Sequence, residues 1–244
     1  MILGIMQPYF FPHLGYFDLI HRSDRWIVFD KVKYIRHGWI NRNRIHHPDE
    51  GWQYIVVPLK KHASHTNICD IQINEDLDWK GKLIGQLQHY KKASNRFLET
   101  IEVVQDCLES DEQSLSRLNA SILDKMCAHL GIEFKYQFLS EMKLELEPVA
   151  GPGDWALNIS AALGASGYVN PSGGEELFDA AQFKHRGINL EIRDIPPMSY
   201  ESAPYEFIPR LSIIDLLMWN SPEAIHDYLD QYRQSKGQVD GCGG

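Results

Sequence analysis

Residues 1–45 read MILGIMQPYFFPHLGYFDLIHRSDRWIVFDKVKYIRHGWINRNRI, and this stretch decides the fold. The uninterrupted apolar run at 1–6 predicts a buried strand. Two prolines in the aromatic loop that follows exclude both strand and helix there. The pattern then predicts a helix at 17–21 and a second buried strand at 26–29, followed by Asp30. Strand, loop, helix and strand make a βαβ unit, and the ligands of open parallel sheets lie beyond the carboxyl ends of the strands.

A basic segment follows this unit in a chain that is acidic as a whole. Its cations are Lys31, Lys33, Arg36, Arg42 and Arg44. The whole chain has 24 Lys+Arg against 33 Asp+Glu, a formal net charge of −9. A local cluster of cations on that background favours a site for an anion, most simply a phosphate or a carboxylate. The alternative is a solvated positive face, but Tyr34 and Trp39 lie within the cluster.

A second candidate anion site lies at 170–176, after a short predicted strand at 167–170. The turn contains Ser172, Gly173 and Gly174 and is predicted to open a helix that reaches 183. A glycine-rich turn at the end of a strand points free amides and a helix dipole at an anion. Ser-Gly-Gly is also an ordinary turn, so both interpretations remain open.

The rest of the chain predicts alternating strands and helices. Further strands are expected at 54–59, 69–73, 132–139 and 188–192, and helices at 79–90, 95–107, 112–130, 154–163, 213–219 and from 222 onward. The Gly-Pro-Gly breaker at 151–153 predicts a junction between two halves, and a flexible loop within one domain would have the same sequence. We therefore predict an α/β fold with a mainly parallel, Rossmann-like sheet, of which a nucleotidyltransferase-like fold is one form. The first half, 1–150, contains an inserted helical segment at 78–130; a second α/β half covers 151–236, and a disordered tail covers 237–244.

The composition excludes several classes of protein. A net charge of −9 argues against general binding of nucleic acids or anionic membranes. No apolar stretch approaches the roughly 18 residues of a transmembrane helix, and the short apolar run at 1–6 lacks the charged region of a signal peptide. The four cysteines have no metal-binding spacing, which favours free thiols and a cytoplasmic location. The histidines at 46, 47, 62 and 65 lack partnering Glu or Cys residues, so we expect no metal site.

Several motifs carry a resemblance to a known family. They are QP at 7–8, PHLGYF at 12–17, DKV at 30–32, WINRNRI at 39–45, YVNPSGG at 168–174 and FIPRLSIIDLL at 207–217. Together they resemble the WbqC-like family over nearly the whole chain. The resemblance implies a product of a bacterial surface-polysaccharide (O-antigen) gene cluster. The name-giving member of the family is described as a glycine transferase acting on an amino sugar. Met6 departs from the many members that carry His before the Gln-Pro.

The resemblance implies transfer of an aminoacyl, glycyl-type group to a nucleotide-linked amino sugar. An amine attacks only when it has lost its proton, so a general base is needed, and His13 and Asp30 are the candidates. The predicted substrate-binding residues are Gln7, Tyr9, Tyr16, Lys31, Trp39, Asn41, Arg42, Asn43, Arg44, Asn170, Ser172, Gly173 and Gly174. Among them the cations are expected to hold a diphosphate, the asparagines to contact hydroxyl or amide groups, and Trp39 or Tyr9 to stack on a sugar or base. The acyl donor, an activated amino acid, and any cofactor remain unspecified.

Two other classes of function stay open. His13, Gly15 and Tyr16 resemble the HxGH signature of nucleotidyltransferases, with Tyr16 in place of the second His, which makes nucleotidyl transfer one alternative. A non-catalytic protein that binds a polysaccharide precursor is the other. The chain has no GxSxG, Walker A or GxGxxG sequence. The aromatic loop at 7–17 is also compatible with a simple packing plug under the sheet.

Overall fold

A computed structural model describes residues 1–233. The strands are β1 Ile2–Met6, β2 Arg25–Val28, β3 Arg42–His46, β4 Trp52–Val56, β5 Tyr136–Phe138, β6 Gly167–Pro171 and β7 Asn189–Arg193. The helices are α1 Leu14–Arg22, α2 Trp79–Gln86, α3 Phe97–Leu108, α4 Leu115–His129, α5 Pro152–Ala162, α6 Ala180–His185, α7 Ile213–Trp219 and α8 Pro222–Arg233. The tail at 237–244, expected to be disordered, lies outside the described residues.

Five of the strands form one parallel sheet in the order β5-β2-β1-β6-β7. The chain builds the sheet outward from β1 through β2 to β5, then returns to the other side of β1 with β6 and β7. This reversal of direction between β1 and β6 is the switch point of a Rossmann-like α/β fold. The predicted fold class is therefore confirmed. Since β6 follows the breaker at 151–153 and pairs with β1, both halves of the chain contribute to one sheet. The division into halves at 1–150 and 151–236 stays a prediction.

The β1-α1-β2 unit has the predicted order, held together by close packing. Gly4 in the middle of β1 lies against the indole of Trp26 on β2, where an added Cβ would come within 2.3 Å of the ring. Helix α1 begins at Leu14, three residues before the predicted start, because His13 caps it by accepting a hydrogen bond from the Gly15 amide. This cap fixes the end of the loop that leads into α1.

The end of the basic segment forms one strand of a β-hairpin that the sequence analysis did not predict. Strands β3 and β4 make an antiparallel hairpin, separate from the main sheet. The strand expected at 54–59 lies at Trp52–Val56, since Pro58 has no amide to donate to a ladder. A buried polar network ties this hairpin to α7: the Asp215 carboxylate accepts hydrogen bonds from His46 Nδ1 at 2.7 Å and from the Tyr200 hydroxyl at 2.6 Å.

The inserted segment is helical, as predicted, and comprises α2, α3 and α4. Asp78 caps α2 through the amide of Gly81, and Gly131 follows α4 with the positive φ of 69° that a helix stop favours. The predicted helix at 79–90 ends earlier, at Gln86, and continues only as a 3-10 turn.

Four further predicted elements differ from the structure in type or in bounds. The strand expected at 69–73 is a 3-10 turn at Ile68–Asp70 followed by isolated bridges, and the strand at 132–139 is reduced to β5. The helix expected from the glycine turn to 183 is divided into a 3-10 turn, Ser172–Leu177, and α6. Helix α5 begins at Pro152 rather than after Asp154, because that carboxylate caps it from inside the first turn by accepting from the Gly151 amide.

No helix in the described part of the chain is long and apolar enough to cross a membrane. Cys69, Cys107 and Cys127 are free thiols.

Candidate functional site

A cleft of about 760 Å³ lies beyond the carboxyl ends of β1, β6 and β7. It occupies the switch point of the sheet, where open α/β folds bind their ligands. Its walls are the loop after β1, the start of α1, the turn after β6, the segment after β7 and part of the basic segment. The predicted residues that line it are Gln7, Tyr9, His13, Tyr16, Trp39, Asn43, Arg44, Asn170, Ser172, Gly173 and Gly174. The two candidate anion sites of the sequence thus meet in one cleft.

Four of the predicted site residues, Asp30, Lys31, Asn41 and Arg42, lie outside the cleft lining. The buried Asp30 carboxylate accepts hydrogen bonds from the amide of Ser140 at 2.9 Å and from its hydroxyl at 2.7 Å. Because these bonds occupy the carboxylate inside the protein, the structure offers no route by which Asp30 reaches a ligand in the cleft.

The side chains of Asn41 and Arg42 are engaged within the basic segment. Asn41 donates to the carbonyl of Val57 at 2.9 Å and accepts from the Tyr34 hydroxyl at 2.8 Å. Arg42 lies over the ring of Tyr54, 4.2 Å from its centroid, and donates to backbone carbonyls of its own segment. Asn43, the next residue of β3, instead donates to the carbonyls of Phe10 and Phe11 in the β1 loop.

Some lining residues shape the cleft through bonds to the backbone. The buried Asn43 amide donates to the carbonyls of Phe10 and Phe11, at 3.0 and 2.9 Å, and so fastens the aromatic loop to β3. The Tyr16 hydroxyl donates to the carbonyl of Gln7 at 2.8 Å. Burial raises the pKa of Tyr16 well above its usual value, so the phenol stays a neutral hydrogen-bond donor. These residues position the loop, and their polar groups are already engaged.

Ser172 and the glycines form the opposite wall. The Ser172 hydroxyl donates to Asp194 at 3.1 Å. At Gly174 an added Cβ would lie 2.8 Å from the side-chain nitrogen of Asn170, whereas at Gly173 the space is open. The glycines therefore keep this wall close to the backbone and leave room for a ligand to approach it.

His13 is the titratable group whose state is best defined. Burial, followed by the positive charge of Arg210, lowers the pKa of His13 to about 4, so the imidazole is neutral at pH 7. Its Nδ1 accepts the Gly15 amide at 3.1 Å, and a nitrogen that accepts carries no proton. The proton of the neutral ring is therefore on Nε2. His13 offers the cleft a hydrogen-bond donor, which conflicts with the predicted role of general base.

Arginine side chains give the cleft its positive charge. The guanidinium of Arg44 lies between two indoles, with its central carbon 5.2 Å from the ring centroids of both Trp39 and Trp52. Within residues 1–233, the buried Nε of Arg44 has no hydrogen-bond partner. Arg210 has a positive φ of 59°, uncommon for a residue with a side chain, and it donates to the Asp194 carboxylate at 2.7 Å.

Four functional candidates were missed by the sequence analysis: Trp155, Arg193, Asp194 and Arg210, all of which line the cleft. Arg193 ends β7 and forms a buried bidentate pair with Asp18, while Asp194 follows it. The rule that ligands lie beyond strand ends could have identified both, because they follow the predicted strand at 188–192 as Asp30 follows β2. Trp155 lies in α5, and no local sequence pattern indicates that it lines a cleft.

Comparison with known proteins gives a family and one relative of undefined activity. A model of the WbqC-like protein family matches residues 7–227. The uncharacterized protein Rv1507c of Mycobacterium tuberculosis is 30% identical over 235 residues, which cover 95% of this chain and 99% of that protein. No solved structure matches the chain significantly.

Proposed function

The chain belongs to the WbqC-like protein family, and we propose that it transfers a glycyl-type acyl group to the amine of a nucleotide-linked amino sugar. The product would enter a bacterial surface polysaccharide such as O-antigen. One observation carries this proposal: Arg44 and the turn at Ser172–Gly174, far apart in sequence, line a single cleft at the switch point of the sheet. The free thiols of the described chain support a cytoplasmic location for the activity.

The charge of the cleft supports an anionic ligand. Its lining includes Arg44 and Arg210, in a chain whose formal net charge is −9. A diphosphate offers several acceptors to guanidinium groups such as those of Arg44 and Arg210. The cleft volume, about 760 Å³, lies in the range of sites that bind small molecules and cofactors.

The aromatic residues that line the cleft are evidence for a ligand with a sugar or base portion. Trp39 at the rim is 37% exposed, and Tyr9 and Trp155 also line the cleft. Aromatic faces of this kind stack on flat or weakly polar rings. A bare phosphate would leave this surface without a partner, so a nucleotide-linked sugar accounts for more of the cleft than an inorganic anion does.

The chemistry of acyl transfer assigns separate roles to two polar residues. The attack of an amine on an acyl carbon places negative charge on the carbonyl oxygen, which the Nε2–H of neutral His13 is suited to stabilise. The new C–N bond forms as the bond between the glycyl carbonyl carbon and its donor breaks, and the donor leaves as tRNA, AMP or the free carrier. Asp194 is the one carboxylate among the described residues that line the cleft. We assign to it the binding of the sugar amine, whose cationic form it attracts and whose proton it can accept.

Nucleotidyl transfer is the second candidate, because His13 and Gly15 open α1 directly after β1, as in an HxGH-type site. Against it, Tyr16 replaces the second His and its hydroxyl is bonded to the backbone of Gln7. We therefore rank this chemistry below acyl transfer.

Mass spectrometry tests the proposal directly. The full chain is incubated with UDP- or dTDP-linked amino sugars and with glycyl-tRNA, glycine plus ATP, or a carrier-bound glycyl group. A product heavier by one glycyl unit is expected with one of these donors. Release of pyrophosphate from ATP or CTP with a sugar phosphate would instead indicate nucleotidyl transfer. Binding by calorimetry without turnover of any donor would indicate a non-catalytic binding protein.

A matched pair of variants tests the site itself. Arg44→Gln should weaken binding of the nucleotide sugar by about tenfold to a hundredfold, because one charge-assisted contact contributes about 1.5–3 kcal/mol. Arg42→Gln removes the same charge from the same strand outside the cleft and should change the Kd less than threefold. Equal effects of the two substitutions would contradict a specific phosphate contact at Arg44.

A further inference from the structure

Three potential metal ligands meet where α8 packs on α1, outside the cleft. His21 lies in the last turn of α1, and His226 and Asp230 lie on α8. Residues four apart in a helix share one face, so His226 and Asp230 both point at His21. The side chain of His21 is 7% exposed and that of Asp230 is 50% exposed, which gives this cluster one buried and one open side.

The distances in the cluster are close to those of a metal site. One oxygen of Asp230 lies 2.7 Å from Nε2 of His21, and the other lies 3.5 Å from Nε2 of His226. All three donor atoms lie within 4.8 Å of one another. In a tetrahedral zinc site, bonds of about 2.0–2.1 Å place the ligand atoms about 3.3 Å apart. The 2.7 Å contact between His21 and Asp230 is a hydrogen bond, and a bound cation would take its place.

The orientation of His226 presents its Nε2 to the cluster. Its Nδ1 lies 2.8 Å from the carbonyl oxygen of Leu130, which can only accept a hydrogen bond, so Nδ1 carries the proton. In the neutral ring, Nε2 then has a lone pair, and this lone pair faces the carboxylate of Asp230. Two acceptors that face each other at 3.5 Å repel unless a proton or a metal cation lies between them. A backbone carbonyl that orients a histidine in this way is also the usual outer partner of a metal-bound imidazole.

We propose that His21, His226 and Asp230 bind one divalent cation of the zinc class, which fastens α8 to the end of α1. Two imidazoles and a carboxylate, with a fourth position open to water on the exposed side, suit Zn²⁺ better than Mg²⁺ or Ca²⁺, which prefer oxygen ligands alone. The role is structural, because the cluster does not line the cleft. Helix α1 carries His13 at its opposite end, so the cation secures the element that presents His13 to the cleft.

The competing interpretation is a simple ion pair in which His226 is protonated. The charge of Arg233 acts on both His21 and Asp230 and opposes a second cation nearby. The carboxylate of Asp230 must therefore outweigh that charge if the metal is to bind. Protonation and metal binding differ in one measurable respect, since only the metal gives a saturable site for an added divalent ion.

Calorimetric titration of the chelator-treated full chain with Zn²⁺ tests the proposal. We expect one site per chain and a rise in Tm of roughly 5–10 °C at a hundredfold excess of Zn²⁺ over the Kd. His226→Gln and Asp230→Asn should each weaken the site at least tenfold. Asp227→Asn is the matched control: it removes the same charge from an exposed position of the same helix and should leave the Kd unchanged.

Substitution with Co²⁺ distinguishes this site from other histidines. A tetrahedral site should give visible absorption that is lost in His226→Gln and retained in Asp227→Asn. The absence of Zn²⁺ binding by the intact chain would overturn the proposal. Binding that is equally strong in all three variants would overturn it as well, because the ion would then lie elsewhere. Neither result depends on substrate, so the proposed transferase activity is tested separately.

Discussion

At the scale of single residues, His13 shows how one hydrogen bond decides a chemical role. A histidine at a strand end suggests a general base, but its Nδ1 is used to cap α1 through the Gly15 amide. The sequence predicts His13 as a site residue, and the structure has it in the cleft lining. The sequence cannot indicate this bond, because the tautomer depends on the direction in which the helix starts. The low pKa, about 4, follows from burial and neighbouring arginines that only the fold assembles.

The environment of His13 can be tested by NMR titration. We expect the imidazole to stay neutral, with its proton on Nε2, from pH 8 down to about pH 5. Arg210→Gln should raise the pKa of His13, since it removes a repelling cation, and Asp194→Asn should lower it further, since it removes an attracting anion. Shifts in the same direction in both variants would contradict the electrostatic arrangement of the cleft.

A second residue-scale prediction concerns Asp215, which is fully buried. It accepts hydrogen bonds from His46, Tyr90 and Tyr200. Asp215→Asn leaves these donors poorly matched, and breaking a buried pair costs about 3–5 kcal/mol of unfolding free energy. Urea denaturation measures this loss. His46→Gln combined with Asp215→Asn should cost less than the sum of the single changes, because the two residues share one interaction.

The same pair predicts a dependence of stability on pH. Burial disfavours the charged imidazole, but the hydrogen bond and charge of Asp215 outweigh it and raise the pKa of His46 above 6.5. A raised pKa stabilises the folded state fully below 6.5, and this contribution is lost as the pH rises through the folded-state value. The difference in unfolding free energy between the wild type and His46→Gln should therefore shrink above pH 6.5. A constant difference from pH 6 to 9 would argue against a charged His46.

At the scale of elements, the strands and helices with a clear hydrophobic pattern were the ones predicted best. The strands β1, β2 and β6 read as short apolar runs and were predicted close to their bounds, as was α7 with its Ser212 cap. Strand β3 was missed because its sequence, RNRIH, is polar. Its inward positions are Asn43 and Ile45, and the amide of Asn43 is buried only because it meets the carbonyls of the β1 loop. A polar residue at a buried position interrupts the alternation of apolar and polar residues by which a strand is identified.

The packing of β1 on β2 gives an element-scale prediction. Gly4→Ala forces a methyl group into the indole of Trp26, so we expect a loss of roughly 1–3 kcal/mol, as for other overpacked cores. Gly85→Ala is the matched control, since an added Cβ meets nothing there and α2 gains a better helix former. It should raise the stability by up to about 1 kcal/mol. Denaturation in urea measures the unfolding free energy of both variants. If both variants lose stability, the contact of Gly4 with Trp26 is not the cause.

At the scale of the whole molecule, the order of the strands in the sheet creates the cleft. The loop after β1, the turn after β6 and the segment after β7 are distant in sequence, and they meet because parallel strands end at one edge of the sheet. The sequence identified the first two through their composition. It did not identify Arg193 and Asp194, although both lie at the end of the strand predicted at 188–192, because the sequence analysis did not apply the strand-end rule to that strand. The convergence of the two anion sites was predictable as a hypothesis; the partners of each side chain were not.

The shared sheet also bears on how the chain is divided. Since β1 lies between β2 and β6, a cut at residue 151 would expose an edge of β1 in the first fragment and leave β6 and β7 as an isolated pair in the second. Two strands alone are marginal in water. We therefore expect fragments 1–150 and 151–244, expressed separately, to lack cooperative unfolding by circular dichroism and to show no binding of a nucleotide sugar.

The full chain with a protease site inserted at 148–150 supplies the control for that experiment. Cleavage after folding leaves the pairing of β1 with β6 intact, so the two pieces should remain together on a sizing column and retain the cleft. Cooperative unfolding of fragment 1–150 by itself would instead support two separate domains. In that case the cleft would be an interface between domains, and ligand binding would have to stabilise their association, because Arg44 and Ser172 would then belong to different folding units.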